Sequence, residues 1–183
     1  MVIIYSDDPN FKPVEIDTYW FHETYIHIND KRLKSFIFWH VTNNKIRKPE
    51  IEDIISIYPE CAYLYAYNIV RYTSDRYRWA DIGKPEVEDI IGRDPKWAFY
   101  YAKDILHCRW ADIGKPEVED IIGKDPMWAY HYVKYVLRKR WADIGKPEVD
   151  DIIYKDETYG GSYYLSDLLF KYHGLLLSKF KSG

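Results

Sequence analysis

The segment RWADIGKPEVEDII begins at Arg78, begins again at Arg109, and returns as RWADIGKPEVDDII at Arg140, so each start follows the last by 31 residues. A period of this length is the signature of a repeat architecture, and it constrains the fold more than any single motif. Residues 79–109 and 110–140 are identical at 22 of 31 positions. A fainter copy, KPEIEDIISIYPECAYLYAYNIV, runs from Lys48 to Val70. Its Pro49 precedes Pro85 by 36 residues instead of 31, which places an insertion within RYTSDRYR. After Asp156 the pattern gives way to TYGGSYYLSDLLF. Atypical end copies are expected of a stacked array, whose terminal faces meet water.

Each copy reads as two helices. Pro85 suits the first helical position, and Glu86, Glu88 and Asp89 suit the positive end of the helix dipole. Val87, Ile90 and Ile91 recur at i, i+3 and i+4, giving one apolar face, and Gly92 reads as the stop. Asp94 followed by Pro95 is a second start signal, repeated at Asp125 and Pro126. Trp97, Ala98, Tyr101, Ala102 and Ile105 fall on one side of the helix that follows. Neither helix buries its apolar face alone, so neighbouring copies must stack. The expected fold is mainly α: a right-handed α-solenoid of about four two-helix repeats spanning residues 46–160, with units near 46–78, 79–109, 110–140 and 141–160. Residues 161–183, apolar at helical spacing, read as a C-terminal capping helix.

Residues 1–45 do not fit the repeat and form a separate N-terminal α+β element. TYIHI at 24–28 and SFIFWHV at 35–41 are rich in β-branched and aromatic residues and flank Asn29-Asp30, which predicts a β-hairpin. A degenerate helical cap is the rival, since Asp17 and Trp20 share the spacing of Asp94 and Trp97.

The unit IGKPEVEDIIGKDP, followed by a helix with Ala at its core positions, resembles short HEAT-like tandem repeats. The wording RW, KPE, KDP and WAY also resembles repeats in uncharacterised proteins of large tailed bacteriophages. The resemblance covers roughly residues 46–160. It implies a helical-repeat protein acting in the infected host's cytoplasm. HEAT-like helices usually carry an Arg pair just after the Pro, whereas this chain has Trp97 and Trp128 near that region.

Composition narrows the function classes. A net charge of −3 supplies no global field toward nucleic acid or anionic lipid. No apolar run is long enough to span a bilayer, MVIIYSDDPN lacks the charge and hydrophobic pattern of a signal peptide, and two cysteines are no disulfide framework. Those features predict a cytoplasmic protein. The anomaly is aromatic content, 18% of the chain with 19 tyrosines.

Few residues are arranged for catalysis or metal binding. His22 and His27 in HETYIH are five apart, so they share neither a helical face nor a strand face. Neither a metal nor a cofactor is expected. Cys61 aligns with Trp97 and Trp128 and reads as core. His107 and Cys108 are adjacent, and adjacency on a helix does not make a dyad. The carboxylate pair Glu86 and Asp89 recurs in every copy, whereas an acid/base pair needs an environment unique to one.

The two central copies differ at 0 of 14 positions over 79–92 and at 9 of 17 over 93–109. The nonconservative differences include Lys96/Met127, Tyr100/His131, Asp104/Tyr135 and His107/Arg138. Spaced 4, 4 and 3 apart on a regular helix, these positions form one stripe of the second helix. Tyr, His, Met and Arg along a stripe suit a protein-binding surface, and the first helices read as a solvated face. The expected function is therefore a non-catalytic interaction module for a protein partner. The alternative is a nucleic-acid-binding protein using Arg71, Arg76, Arg78, Arg109 and Arg140 with neighbouring Trp and Tyr. A weaker option is an acidic phosphate mimic built from Glu86, Glu88 and Asp89 with their equivalents.

Overall fold

A computed structural model describes residues 2–7, 13–16, 24–27, 31–44, 47, 49–70, 78–166 and 168 of the chain. Those residues are mainly helical, with one small sheet. They divide into two compact units, residues 1–91 and 92–183.

The first unit opens with three strands in the order β2-β1-β3. β1 (Val2–Tyr5) pairs antiparallel with β2 (Val14–Ile16) and parallel with β3 (Thr24–His27). Val2 and Ile4 are fully buried while Ile3 between them is not, the two-residue alternation of a half-covered strand. α1 (Lys31–Asn44) follows and packs on β3 and on the helix Pro59–Tyr65. This corrects the expected hairpin: residues 35–41 are helical, and β3 takes β1 as its partner. Leu33, Phe36, Ile37 and His40 are buried at i, i+3, i+4 and i+7, so helical periodicity overrides the β-propensity of the individual residues. The rival reading on Asp17 and Trp20 lies outside the described residues.

The repeat then sets a fixed local plan. In the copies beginning at Arg78, Arg109 and Arg140, the Arg leads into a 3₁₀ turn, at Ala80–Ile82, Trp110–Ile113 and Ala142–Ile144. The backbone N–H of each Arg donates to Asp81, Asp112 or Asp143 at 3.0–3.2 Å. Gly83, Gly114 and Gly145 end the turns at φ 84°, 80° and 84°, a region open to Gly at little cost. First helices follow at Glu86–Gly92, Pro116–Gly123 and Pro147–Lys155.

Second helices start where Asp94 and Asp125 cap them, each accepting two backbone N–H groups at 3.0–3.1 Å ahead of Pro95 and Pro126. The same cap survives in the last copy, where Asp156 accepts from Thr158 and Tyr159 and a helix covers residues 160–166. The Asp cap therefore recurs once more past residue 155, and the helix it starts covers the described part of the segment expected to close the array.

Gly92 and Gly123 are not turn residues. A Cβ on Gly123 would meet a Val149 methyl at 2.8 Å, and one on Gly92 would meet Val118 at 2.7 Å. Within the second unit, the close approach of the helices Pro116–Gly123 and Pro147–Lys155 is what demands glycine at 123. In the last copy the equivalent position is Tyr154, which is exposed.

Fully buried Trp79, Trp110 and Trp141 occupy equivalent environments. Each stacks on a tyrosine of the preceding second helix: Tyr65, Tyr101 and Tyr132, at 5.2, 5.5 and 5.4 Å between ring centres. Each indole N–H donates to a helix carbonyl, of Ala62, Ala98 and Ala129, at 3.0, 2.9 and 3.2 Å. Four residues beyond each acceptor the helix widens into a π turn, at Ala66–Val70, Ala102–Leu106 and Val133–Leu137. Each of these carbonyls also keeps the backbone N–H four residues on, of Ala66, Ala102 and Val133.

Candidate partner-binding face on the second helices

The helices Pro49–Ile55, Glu86–Gly92, Pro116–Gly123 and Pro147–Lys155 each carry one buried carboxylate. Glu52, Glu88 and Glu119 are fully buried, and Asp150 is nearly so. Glu119 receives Arg109 Nε and Nη2 at 3.0 and 2.8 Å and the Tyr132 hydroxyl at 3.2 Å. Glu88 receives the Arg78 fork at 3.1 and 2.9 Å, and Glu52 receives Arg47 and the Tyr65 hydroxyl. Asp150, one methylene shorter, accepts the backbone N–H groups of Trp141 and Ala142 and the Tyr163 hydroxyl. The hydrogen bond to Glu119 holds the Arg109 guanidinium above its ordinary value despite burial. Desolvation, then the nearby Glu119 charge, pushes the Tyr132 hydroxyl far up, so it stays a donor.

This arrangement corrects the reading of the first helices as a solvated face. Glu88 and Glu119 are fully buried, because a carboxylate in the interior needs a matched cation and gets one. Glu86, Glu117 and Glu148 remain exposed. Lys84 pairs with Asp53, and Lys146 with Asp120, which trims the acidic rail further. Of the arginine ladder, Arg78 and Arg109 have their forks on Glu88 and Glu119, and Arg140 pairs with Asp143 at 3.2 Å. Arg71 and Arg76 lie outside the described residues.

The stripe follows a different course from the one drawn on a regular helix. The π turns begin at Ala102 and Val133, so the spacing is lost beyond them. His107 and Arg138 stand past the helix ends, at φ 53° and 54°. Within the second unit, Tyr100, His131 and Tyr135 are brought together through Phe99 and Trp128. Tyr100 and Phe99 each lie 5.7 Å from Trp128, and Phe99 lies 5.9 Å from His131 and 6.2 Å from Tyr135. His131 stacks on Tyr135 at 6.0 Å and 19°. Lys103 and Lys134 approach the Tyr135 ring at 5.8 and 5.3 Å. Burial, and then the Lys134 charge, hold the His131 imidazole below its ordinary value.

Beside Tyr135 a cleft of about 360 Å³ is lined by Ala102, Lys103, His107, Tyr135, Val136 and Arg138. Of the remaining stripe positions, Asp104 pairs with Lys103 at 3.2 Å and Lys96 lies over the Trp97 ring at 4.3 Å. Met127 sits in the first turn of its helix, where its backbone N–H meets Asp125. Phe99, Trp128, Lys103 and Lys134 belong to this face and were not among the expected residues. Lys103 and Lys134 are the same residue in both copies, so comparing where the copies differ passes over them.

Cys61 is buried, and burial pushes its thiol up to about 12, so no thiolate is on hand at neutral pH. Among the described residues, no helix is long and apolar enough to cross a membrane. The chain matches no family model, no curated protein and no solved structure.

Proposed function

We propose that this chain is a non-catalytic helical-repeat interaction module, its copies stacked as a right-handed solenoid, that docks a protein partner through the aromatic and basic face of its second helices. One observation carries the reading. Trp79, Trp110 and Trp141, their stacked tyrosines, and the Arg78–Glu88 and Arg109–Glu119 pairs are consumed by the scaffold, while Tyr100, His131 and Tyr135 gather on one face with Tyr135 44% exposed. Aromatic rings with an exposed side, flanked by cations, are the residue types that dominate binding energy at protein interfaces. A protein is favoured over a nucleic acid because two of the arginine forks a strand would need are held by Glu88 and Glu119. The resemblance of the repeat to those of large tailed phages suggests a host or host-defence factor in the cytoplasm as the partner.

The test is affinity capture from a lysate of the presumed host with the full chain as bait, with and without nuclease. It is followed by alanine replacement of Tyr100, His131 and Tyr135 against the retained protein. The reading expects retention that resists nuclease and falls with these replacements. Retention that vanishes with nuclease, or that depends on Glu86 and Glu117 instead, overturns it.

A further inference from the structure

We propose that the cleft lined by Lys103, His107, Tyr135 and Arg138 seats a phosphoryl group carried on the protein partner, so that the module reads its partner in a phosphorylated form. This rests on the docking face proposed above and names the chemistry that face selects.

The cleft brings an ammonium, an imidazole and a guanidinium to one space of about 360 Å³. The carboxylate beside them is Asp104, paired with Lys103 at 3.2 Å. That leaves a cationic excess within a concave site. A phosphomonoester carries roughly −1.5 to −2 at neutral pH with three strong acceptor oxygens, and an Arg fork with a Lys point charge is the usual complement. A single carboxylate would use less of this donor set. A phosphodiester strand needs cations laid along a track, whereas these converge on one pocket.

The backbone supplies a second, independent observation. His107 and Arg138 occupy equivalent positions after their helices, and both take left-handed φ values of 53° and 54°. Glycine performs that turn with less strain, as Gly83, Gly114 and Gly145 do elsewhere in the same repeat. The chain instead spends both positions on exposed, nitrogen-bearing side chains that line the cleft. Strain retained at adjoining positions of one concavity is a mark of use. The neighbouring Tyr135 ring, stacked on His131, gives the carrier of the phosphoryl group a flat surface.

The experiment titrates the full chain with phenyl phosphate, inorganic phosphate and a short thymidine oligonucleotide, following backbone amide shifts. Phenyl phosphate is expected to move the amides of Lys103, His107 and Arg138 and to bind more tightly than inorganic phosphate. R138G and K103A should each weaken it by roughly tenfold or more, the loss of a charge-assisted hydrogen bond. R138G is the cleaner variant, because glycine suits the φ at 138 and the melting temperature should hold or rise. The proposal is overturned if phenyl phosphate moves nothing, if R138G and K103A bind it undiminished, if inorganic phosphate binds equally well, or if the oligonucleotide binds more tightly. Partner retention through Tyr100 and His131 that survives both R138G and phosphatase treatment of the lysate would sink the phosphoryl seat and leave the docking face standing. Intact phosphate binding with no retained partner would sink the docking face.

Discussion

The Arg109 guanidinium grips the fully buried Glu119 carboxylate with both Nε and Nη2, at 3.0 and 2.8 Å. The two ends of this pair are not equivalent. Arg109 is 24% exposed and can turn to water, whereas Glu119 cannot. Arg109→Ala should therefore cost about 3 kcal/mol or more, by stranding a buried charge. Glu119→Gln, which keeps a side chain able to accept from Tyr132, should cost about 1–2 kcal/mol. The double replacement Arg109→Met with Glu119→Leu should recover much of the loss. Urea unfolding of the three variants decides it, and equal costs for the two single replacements would contradict the asymmetry.

Gly123 and Gly114 make opposite demands and can be told apart. Gly123→Ala drives a Cβ to 2.8 Å from a Val149 methyl, and overpacking of this kind costs about 1–3 kcal/mol. Val149→Ala in the same chain should relieve part of it. Gly114→Ala meets nothing within 4 Å but sits at φ +80°, so it should cost about 1 kcal/mol through backbone strain that Val149→Ala leaves untouched. Identical rescue of both by Val149→Ala would refute the distinction.

The imidazole of His131 gives a pH signature. Its ordinary value is 6.5, and the folded chain lowers it. Over the window from 6.5 down to that lower folded value, the unfolded chain binds more protons than the folded one. Stability is therefore complete above the window and falls as the pH drops through it. His131→Phe removes the titrating group, so the wild type should lose more stability than the variant from about pH 7.5 to about pH 5. Parallel stability profiles would show that the imidazole is not perturbed by its surroundings.

The left-handed cap positions predict a gain. His107→Gly and Arg138→Gly relax φ values of 53° and 54° but add freedom to the unfolded chain, so each should change stability by between about 0 and +1 kcal/mol. Thermal unfolding checks this, and a clear loss in either variant would assign that side chain to the scaffold.

Much of this scaffold is legible in the bare chain, because its cues are local. Asp-Pro pairs mark the second helices, and the Gly-Lys-Pro steps mark the turns before the first ones. The burial of Glu88 was also within reach. It shares a face with Ile91 and Gly92 at i+3 and i+4, and an Arg stands ten residues before it, as one does before Glu119. The acidic run at 86–89 conceals this by looking like simple dipole compensation. What no local pattern reveals is the π turn in three of the second helices. It begins four residues after a carbonyl that also accepts an indole N–H, from a Trp 17 residues further on in one case and 12 in two. The stripe drawn on a regular helix is re-routed through those turns: Tyr100, His131 and Tyr135 gather around Phe99 and Trp128, and His107, Tyr135 and Arg138 line the cleft beside them. In the N-terminal unit, Phe36, Ile37 and Val41 carry strand propensity, but the helical spacing of the buried Leu33, Phe36, Ile37 and His40 prevails.

The central claim is that a protein partner rests on the second-helix face, and site-specific photocrosslinking tests it most directly. A photoreactive phenylalanine derivative would replace Tyr100 or Tyr135 in turn, and Glu86 or Glu117 on the first helices. Irradiation in the lysate used for affinity capture should yield a discrete protein adduct from positions 100 and 135 and none from 86 and 117. Adducts from 86 or 117 alone, or adducts that nuclease removes, would contradict the account.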